Sequence, residues 1–177
     1  MDSIITESGM NFIADNAFHI EKSTLYATLG NGVRSVEFVC VKDDSLLFVE
    51  AKTTFPNPNN PSAENRAKFK KEAEDICKKS IHSLNLFLSV EVGVAEYMFT
   101  NDFVLPEKVL LALVLVIKNH EPQWRRPIKA ELIAALPSYL KKIWKPTVFV
   151  INHETATKQQ LTAPNAIEGN EQYVRHS

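Results

Sequence analysis

Apolar and polar residues alternate along the first third of the chain in a pattern typical of β-strands. The stretch from Val36 to Thr54 reads as two apolar runs folded over Asp43 and Asp44, which suit a two-residue turn. Before it, Ala17 to Leu29 mixes aromatic, β-branched and polar residues and then meets the turn signal "GNG". The pattern therefore predicts three consecutive strands at the start of the sheet.

The middle of the chain changes to the three- and four-residue spacing of a helix. Prolines and asparagines between Phe55 and Pro61 predict a loop, after which Ser62 can cap a helix that ends near Gly93. The apolar positions of this helix are Phe69, Ala73, Ile76, Cys77, Ser80, Ile81, Leu84, Phe87 and Leu88. The segment that follows Gly93, "GVAEYMFTNDFVLPE", carries no pattern that assigns it.

The last part of the chain alternates between strand and helix patterns. Val109 to Ile117 is apolar on both faces and predicts a buried central strand. "RRPIKAELIAALPSYLKKIWKP" predicts a helix kinked at Pro137, and "TVFVINHET" predicts another strand. From Thr155 the tail is expected to be partly helical and then frayed over about 165–177. The order predicts an α/β fold, with a mixed sheet led by a β-meander and helices crossing over it.

Composition narrows the class of protein without naming a function. The 177 residues fit a single domain over 1–177, with 45% hydrophobic and 23% charged residues. The net charge of −1 gives no global basic field, so a nucleic-acid partner needs a local patch. Cys40 and Cys77 lack metal-site spacing and are interpreted as small core hydrophobes. With no secretory signal and a longest apolar run of nine residues, we expect a cytoplasmic protein that does not enter a membrane.

The hairpin carries charged residues where apolar ones are expected. Glu50 and Lys52 are two residues apart on one strand and share a face, opposite to Leu47, Val49 and Ala51. A two-residue turn, or a four-residue loop, sets Glu37 directly across from Glu50, whereas a three-residue loop sends them to opposite faces. Opposed like charges destabilise a sheet unless something compensates them. Two carboxylates and an ammonium around Mg²⁺ or Mn²⁺ suit phosphodiester hydrolysis.

This stretch resembles the catalytic hairpin of the PD-(D/E)XK nuclease superfamily, in its Holliday-junction-resolvase-like branch. That pattern has an acid on one strand and Glu-x-Lys on the next, and here Glu37 is followed by "VEAKTT" from Val49. The resemblance implies a restriction-endonuclease-like fold and a Mg²⁺- or Mn²⁺-dependent endonuclease acting on DNA. Glu37, Glu50 and the Ala51 carbonyl would be metal ligands, and Lys52 would orient water or stabilise the transition state.

The resemblance leaves further points open. The family usually has Asp where this chain has Glu37, and many members carry a glutamate on a helix ahead of the sheet. Glu7 and Glu21 are the candidates for that additional ligand. Relatives of the resolvase type often act as dimers, so a homodimer is an expected arrangement. The alternatives are a catalytically inactive module of the same fold that binds nucleic acid or a protein, and an edge strand whose Glu and Lys are solvated.

A basic stretch with tryptophans provides a candidate DNA contact. The stretch consists of Trp124, Arg125, Arg126, Lys129, Lys141, Lys142 and Lys145, with Trp144 also in it. The plain alternative is a solvated helix face around a core tryptophan. The five histidines lack zinc-site spacing, and no glycine-rich nucleotide-binding motif is present, so we expect no nucleotide cofactor.

Overall fold

The computed structural model describes residues 4–13, 16–30, 32–95 and 103–164. The strands are β1 (Ile4–Glu7), β2 (Met10–Ile13), β3 (Ala17–Phe18), β4 (Phe38–Lys42), β5 (Ser45–Lys52), β6 (Leu110–Ile117) and β7 (Thr147–Asn152). The helices are α1 (Thr24–Thr28), α2 (Ala63–Glu91), α3 (Arg125–Ala135), α4 (Ser138–Ile143) and α5 (His153–Lys158), with 3-10 turns at Ile20–Lys22 and Pro122–Trp124.

A five-stranded mixed sheet forms the centre of the molecule and confirms the predicted α/β class. Its strand order is β3-β4-β5-β6-β7, so β5 is the middle strand. Strands β3, β4 and β5 are antiparallel neighbours, whereas β5, β6 and β7 run parallel. Parallel neighbours need a crossover, and α2 connects β5 to β6 while α3 and α4 connect β6 to β7.

The β4–β5 hairpin adopts the predicted register. Phe38 pairs with Val49 and Lys42 with Ser45, which leaves Asp43 and Asp44 as a two-residue turn. Asp43, the first residue of the turn, has φ +52°, a positive value that Asp tolerates better than most residues. The hairpin therefore excludes the three-residue loop, which would have sent the two glutamates to opposite faces.

The N-terminal region differs from the predicted single strand. Strand β3 covers Ala17–Phe18, and a 3-10 turn and α1 occupy most of the segment expected to be extended. A separate β1–β2 hairpin precedes it and was not predicted, because its strands are four residues long and its first strand is exposed or half-buried. Its turn at Ser8 and Gly9 has positive φ at both residues.

The helices begin and end close to the predicted residues, with one correction. Ser62 caps α2, accepting a hydrogen bond from the Asn65 N–H at 3.2 Å, and α2 ends at Glu91. The predicted kinked helix is instead two helices, α3 and α4. Leu136 has ψ 133°, because a residue before proline is driven out of helical conformation, and Pro137 therefore separates the helices.

Two apolar layers sandwich the sheet. One face packs against α2, α3 and α4 through residues such as Phe48, Phe87 and Leu115, and the other against β2 and α5. Cys40 and Cys77 are free and buried, and burial raises the pKa of both thiols to about 12, as expected for core residues. The predicted frayed tail lies outside the described residues. Within the described ranges, each helix is too short or too polar to cross a bilayer.

Candidate active site

Glu50 lies on the middle strand of the sheet and is almost wholly buried. Strand alternation turns Phe48, Glu50 and Lys52 toward α2, and only 1% of Glu50 remains exposed. From α2, the Lys79 Nζ lies 2.7 Å from Glu50 Oε1, and the Lys52 Nζ lies 3.6 Å from the same oxygen. A solvated edge strand, the alternative for this segment, is therefore wrong.

The electrostatics of Glu50 reflect its burial. Burial raises the pKa of this carboxyl, while the charges and hydrogen bonds of Lys79 and then Lys52 act in the opposite direction. Its second oxygen, Oε2, is buried and has no hydrogen-bond partner among the described residues. An uncompensated buried oxygen is unfavourable in a protein interior, so Glu50 retains capacity for a further ligand.

Lys52 bridges the sheet and α2 at the mouth of the site. Its Nζ lies 2.7 Å from Glu72 Oε1 on α2, and its side chain is 29% exposed. Desolvation lowers the pKa of Lys52, but its hydrogen bond to Glu72 and the charges of Glu50 and Glu72 together raise it. Lys52 is therefore a protonated cation at neutral pH and is suited to contact an anion rather than to remove a proton.

Glu37 comes directly before β4 and lies against β5. Its N–H donates at 3.0 Å to the carbonyl of Val49, the residue that already pairs with Phe38, so the regular register of the hairpin ends at Phe38. Burial raises the pKa of Glu37 to about 7, with the charge of Glu50 the next largest cause. The charge of Glu50 therefore acts on Glu37, although the predicted direct pairing of Glu37 with Glu50 is not among the recorded pairs of the hairpin.

Two further acids act on Glu37, and both were candidates from sequence. Glu7 at the end of β1 and Glu21 in the 3-10 turn after β3 each raise the pKa of Glu37 through their charges. Glu7 Oε1 lies 3.6 Å from His19 Nε2, and Glu21 Oε1 accepts a hydrogen bond from Ser35 Oγ at 3.3 Å. The N-terminal segment therefore contributes negative charge to the site from short elements rather than from a long helix.

The β1–β2 turn covers the outer end of the site. The Ser8 hydroxyl donates to the Ala51 carbonyl at 3.0 Å, and the Lys118 ammonium donates to the Gly9 carbonyl at 2.8 Å. A Cβ at Gly9 would lie 2.9 Å from the Lys118 Nζ, and φ at Gly9 is +69°. Contacts on both sides therefore fix this turn. The resemblance implies that the Ala51 carbonyl is a metal ligand, and in this structure the carbonyl accepts a hydrogen bond from the Ser8 hydroxyl.

Lys79 and Glu72 are the site residues that the hairpin pattern could not reveal. Both project from α2, seven residues apart, which places them on the same side of a helix. The available signal was the position of Lys79 three residues after Ile76 and four before Ser83, both of which are buried. A lysine within the core-facing stripe of a helix predicts an acidic partner in the facing sheet.

The basic stretch divides between two edges of the sheet. Strands β5, β6 and β7 are parallel, so α3 begins at their carboxyl ends, the edge that carries Lys52. Arg125 lies there and donates through Nη2 to Thr155 Oγ1 at 3.0 Å, and Arg126 and Lys129 follow on exposed positions of α3. The Trp124 ring is half-buried, and its indole nitrogen has no partner among the described residues.

The remaining cations of this stretch lie at the opposite edge. Lys141 and Lys142 belong to α4, and Lys145 occupies the connection that leads into the amino end of β7. All three are exposed. A DNA backbone that contacts Arg125 and Lys52 would therefore meet these three lysines only by passing around the α3–α4 side of the molecule.

A larger metal cluster is not part of the described structure. Among residues 4–13, 16–30, 32–95 and 103–164, no group of three or more His, Cys, Asp or Glu side chains is arranged to hold a metal ion. Any cation at this site would use the glutamate pair with backbone or water oxygens.

Comparisons of the chain with family models, curated proteins and solved structures gave no match.

Proposed function

We propose that the chain is a PD-(D/E)XK-type nuclease domain that hydrolyses DNA phosphodiester bonds with the help of Mg²⁺ or Mn²⁺. The observation that carries this proposal is Glu50, buried on the middle strand beside Lys52 and electrostatically linked to Glu37 across the hairpin. The meander, helix and parallel strand that surround it have the order expected from the resemblance. We place this activity in the cytoplasm, since both cysteines are free thiols.

The charges of the site fit a divalent cation. Glu7, Glu21, Glu37 and Glu50 all influence one region, and two ammonium groups, those of Lys52 and Lys79, oppose them. The buried, unpartnered Glu50 Oε2 offers a hard oxygen of the kind that Mg²⁺ and Mn²⁺ prefer. Glu37 and Glu50 would hold the cation, with the Ala51 carbonyl as a third oxygen beside the Ser8 hydroxyl.

Different groups at the site would have different roles in phosphodiester hydrolysis. A bound divalent cation supplies Lewis acidity toward a phosphoryl oxygen and lowers the pKa of water. The Lys52 ammonium is held by Glu72 at 2.7 Å, so it presents a fixed positive charge to a phosphate at the mouth of the site. Arg125 and Arg126, at the same sheet edge, extend that positive surface along the DNA.

A catalytically inactive module of the same fold is the second candidate, and one contact favours it. Lys79 lies 2.7 Å from Glu50 and compensates its charge without any metal. In such a module the glutamates would be structural, and the cations would bind nucleic acid or the surface of a protein partner. A homodimer is compatible with either function and remains a prediction.

The test is nicking of branched, nicked and linear DNA by the purified chain with Mg²⁺ or Mn²⁺. We expect Glu50→Gln to reduce cleavage to background while retaining the circular dichroism spectrum of the wild type. The matched control is Glu64→Gln, which changes charge equally on an exposed part of α2. Cleavage that persists in Glu50→Gln would contradict the proposal. A wild type that neither binds Mn²⁺ nor cleaves any of these substrates would favour the inactive module.

A further inference from the structure

Lys79 places a positive charge on one oxygen of Glu50, next to the oxygen that a metal ion would use. Its Nζ lies 2.7 Å from Glu50 Oε1, closer than the 3.6 Å of Lys52. Its charge also acts on Glu37, the other member of the glutamate pair. One ammonium from α2 therefore compensates both carboxylates that the proposed metal would bridge.

The two lysines of the site are not equivalent. Lys52 has a close partner of its own in Glu72, at 2.7 Å, so it keeps an ion pair when its distance to Glu50 changes. Lys79 has Glu50 as its close partner, and its side chain is 20% exposed. A lysine has a flexible four-carbon stem, so the Lys79 ammonium can move toward solvent without rearrangement of α2.

A divalent cation and the Lys79 ammonium cannot both sit against Glu50 without strong repulsion. Like charges a few ångströms apart in a partly buried site oppose one another by more than the thermal energy. Without any cation, however, Glu50 would be a buried charge with Lys52 alone as a distant partner, which is unfavourable. An ionised Glu50 therefore needs one cation beside it.

We infer that Lys79 is an internal counter-ion that fills the carboxylate site in the metal-free protein and must leave Glu50 before a divalent cation binds. This inference rests on the proposed function, since it concerns the same site. It makes Lys79 a positioning residue that sets the affinity for the cation. Removing its charge should strengthen Mn²⁺ binding, in contrast to the loss expected from removing Lys52 or either glutamate.

The experiment is Mn²⁺ titration by calorimetry of the purified full chain, with no DNA present. We expect Lys79→Met to bind Mn²⁺ about tenfold more tightly than the wild type, or more. The control Lys78→Met removes the same charge from the adjacent, exposed position of α2 and should leave the affinity within about twofold. Glu50→Gln in the Lys79→Met background should abolish the binding, which assigns it to this site.

Each outcome separates the inference from the proposed function. Equal Mn²⁺ affinity in wild type and Lys79→Met overturns the inference and leaves the nuclease proposal standing. If Lys79→Met binds Mn²⁺ and the wild type does not, the inference is supported. The same result overturns metal-dependent catalysis by the wild type and favours the inactive module. Absence of binding in both proteins overturns both ideas.

The variant must be folded for these results to count. Thermal unfolding followed by circular dichroism establishes this before titration. If Lys79→Met unfolds without metal, we expect Mn²⁺ to restore its transition, because a ligand that binds the folded state stabilises it. If Mn²⁺ does not restore it, Lys79→Gln, which keeps a hydrogen-bond donor for Glu50, takes its place in the same titration.

Discussion

Two charged regions of the molecule are organised in opposite ways. In the carboxylate site, Glu50 and Lys52 lie on one strand, and the facing helix adds Lys79 to the same small volume. In the basic stretch, Arg125 and Lys145 are twenty positions apart on a crossover connection and lie at opposite edges of the sheet. The first region concentrates opposite charges in the interior, and the second spreads like charges over the surface.

The difference has a physical origin in the elements that carry the charges. Strand alternation fixes the face of every second residue, so Glu50 and Lys52 must lie side by side. A crossover between parallel strands must instead travel from the carboxyl edge of one strand to the amino edge of the next. The crossover spans the full length of the strands, so charged residues at its two ends lie far apart. Residues that are close in sequence on such a connection need not belong to the same surface.

The largest effect that would test this comparison is on stability. We expect Glu50→Ala to lower the free energy of unfolding by about 1.5–3 kcal/mol, because it removes the hydrogen-bonded ion pair with Lys79 and leaves that ammonium to move toward solvent. Chemical denaturation followed by circular dichroism measures this. The control Glu64→Ala breaks the exposed ion pair with Lys68 and should cause no measurable change.

A second substitution distinguishes the loss of a charge partner from the loss of packing. Combining Glu50→Ala with Lys79→Met removes the unpaired ammonium, so we expect part of the lost stability to return. Strict additivity of the two single effects would contradict a direct pair between Glu50 and Lys79. It would also remove the contrast between an interior charge cluster and a surface one.

Sequence reasoning reached the part of the site that lies within one hairpin. Two adjacent aspartates set a two-residue turn, and the turn set the register from Phe38 to Lys42. Glu37 lies one residue before the recorded pairs, where the charge of Glu50 still raises its pKa. Each step depends on neighbours in the chain. The place of Lys79 in the site depends on how α2 packs across β5, which requires the tertiary structure, so the pattern of the hairpin could not reveal it.

The fold shows the same division between local and distant information. The strands β5, β6 and β7 and the cap at Ser62 follow from local patterns and were predicted. The β1–β2 hairpin has strands of four residues, too short to display a period, and it gains stability by packing Met10 and Phe12 against the sheet. Contacts with a distant part of the chain produce no recognisable pattern in so short a sequence.

The next prediction concerns pH and the acids of the same cluster. The pKa of Glu37 is raised from the ordinary 4.5 to about 7 in the folded protein. Between these values the folded chain keeps a proton that the unfolded chain has released. The stability from this group is thus fully present below about pH 4.5 and is lost as the pH rises through 7.

The measurement is the free energy of unfolding between about pH 5 and 7.5. We expect it to decrease as the pH rises, and Glu37→Gln should make the decrease shallower. Some slope should remain, because burial also raises the pKa of Glu50. Glu64→Gln is the control, since a hydrogen bond from Lys68 lowers the pKa of Glu64 and it stays ionised over this interval. An unchanged slope in Glu37→Gln would contradict the crowding of the glutamates.

The smallest expected effect concerns the divided basic stretch. Arg125 lies at the sheet edge that carries Lys52, whereas Lys142 lies on α4 near the opposite edge. If DNA binds over the carboxylate site, Arg125→Gln should weaken binding severalfold and reduce the dependence on salt by about one phosphate contact. Lys142→Gln removes the same charge and should have the smaller effect.

Fluorescence anisotropy at several salt concentrations measures the affinity of both variants for DNA. Both substitutions are made in Glu50→Gln protein so that cleavage does not interfere. Equal losses from the two substitutions would mean that DNA follows the whole α3–α4 surface, and the two edges would then act as one interface despite their separation.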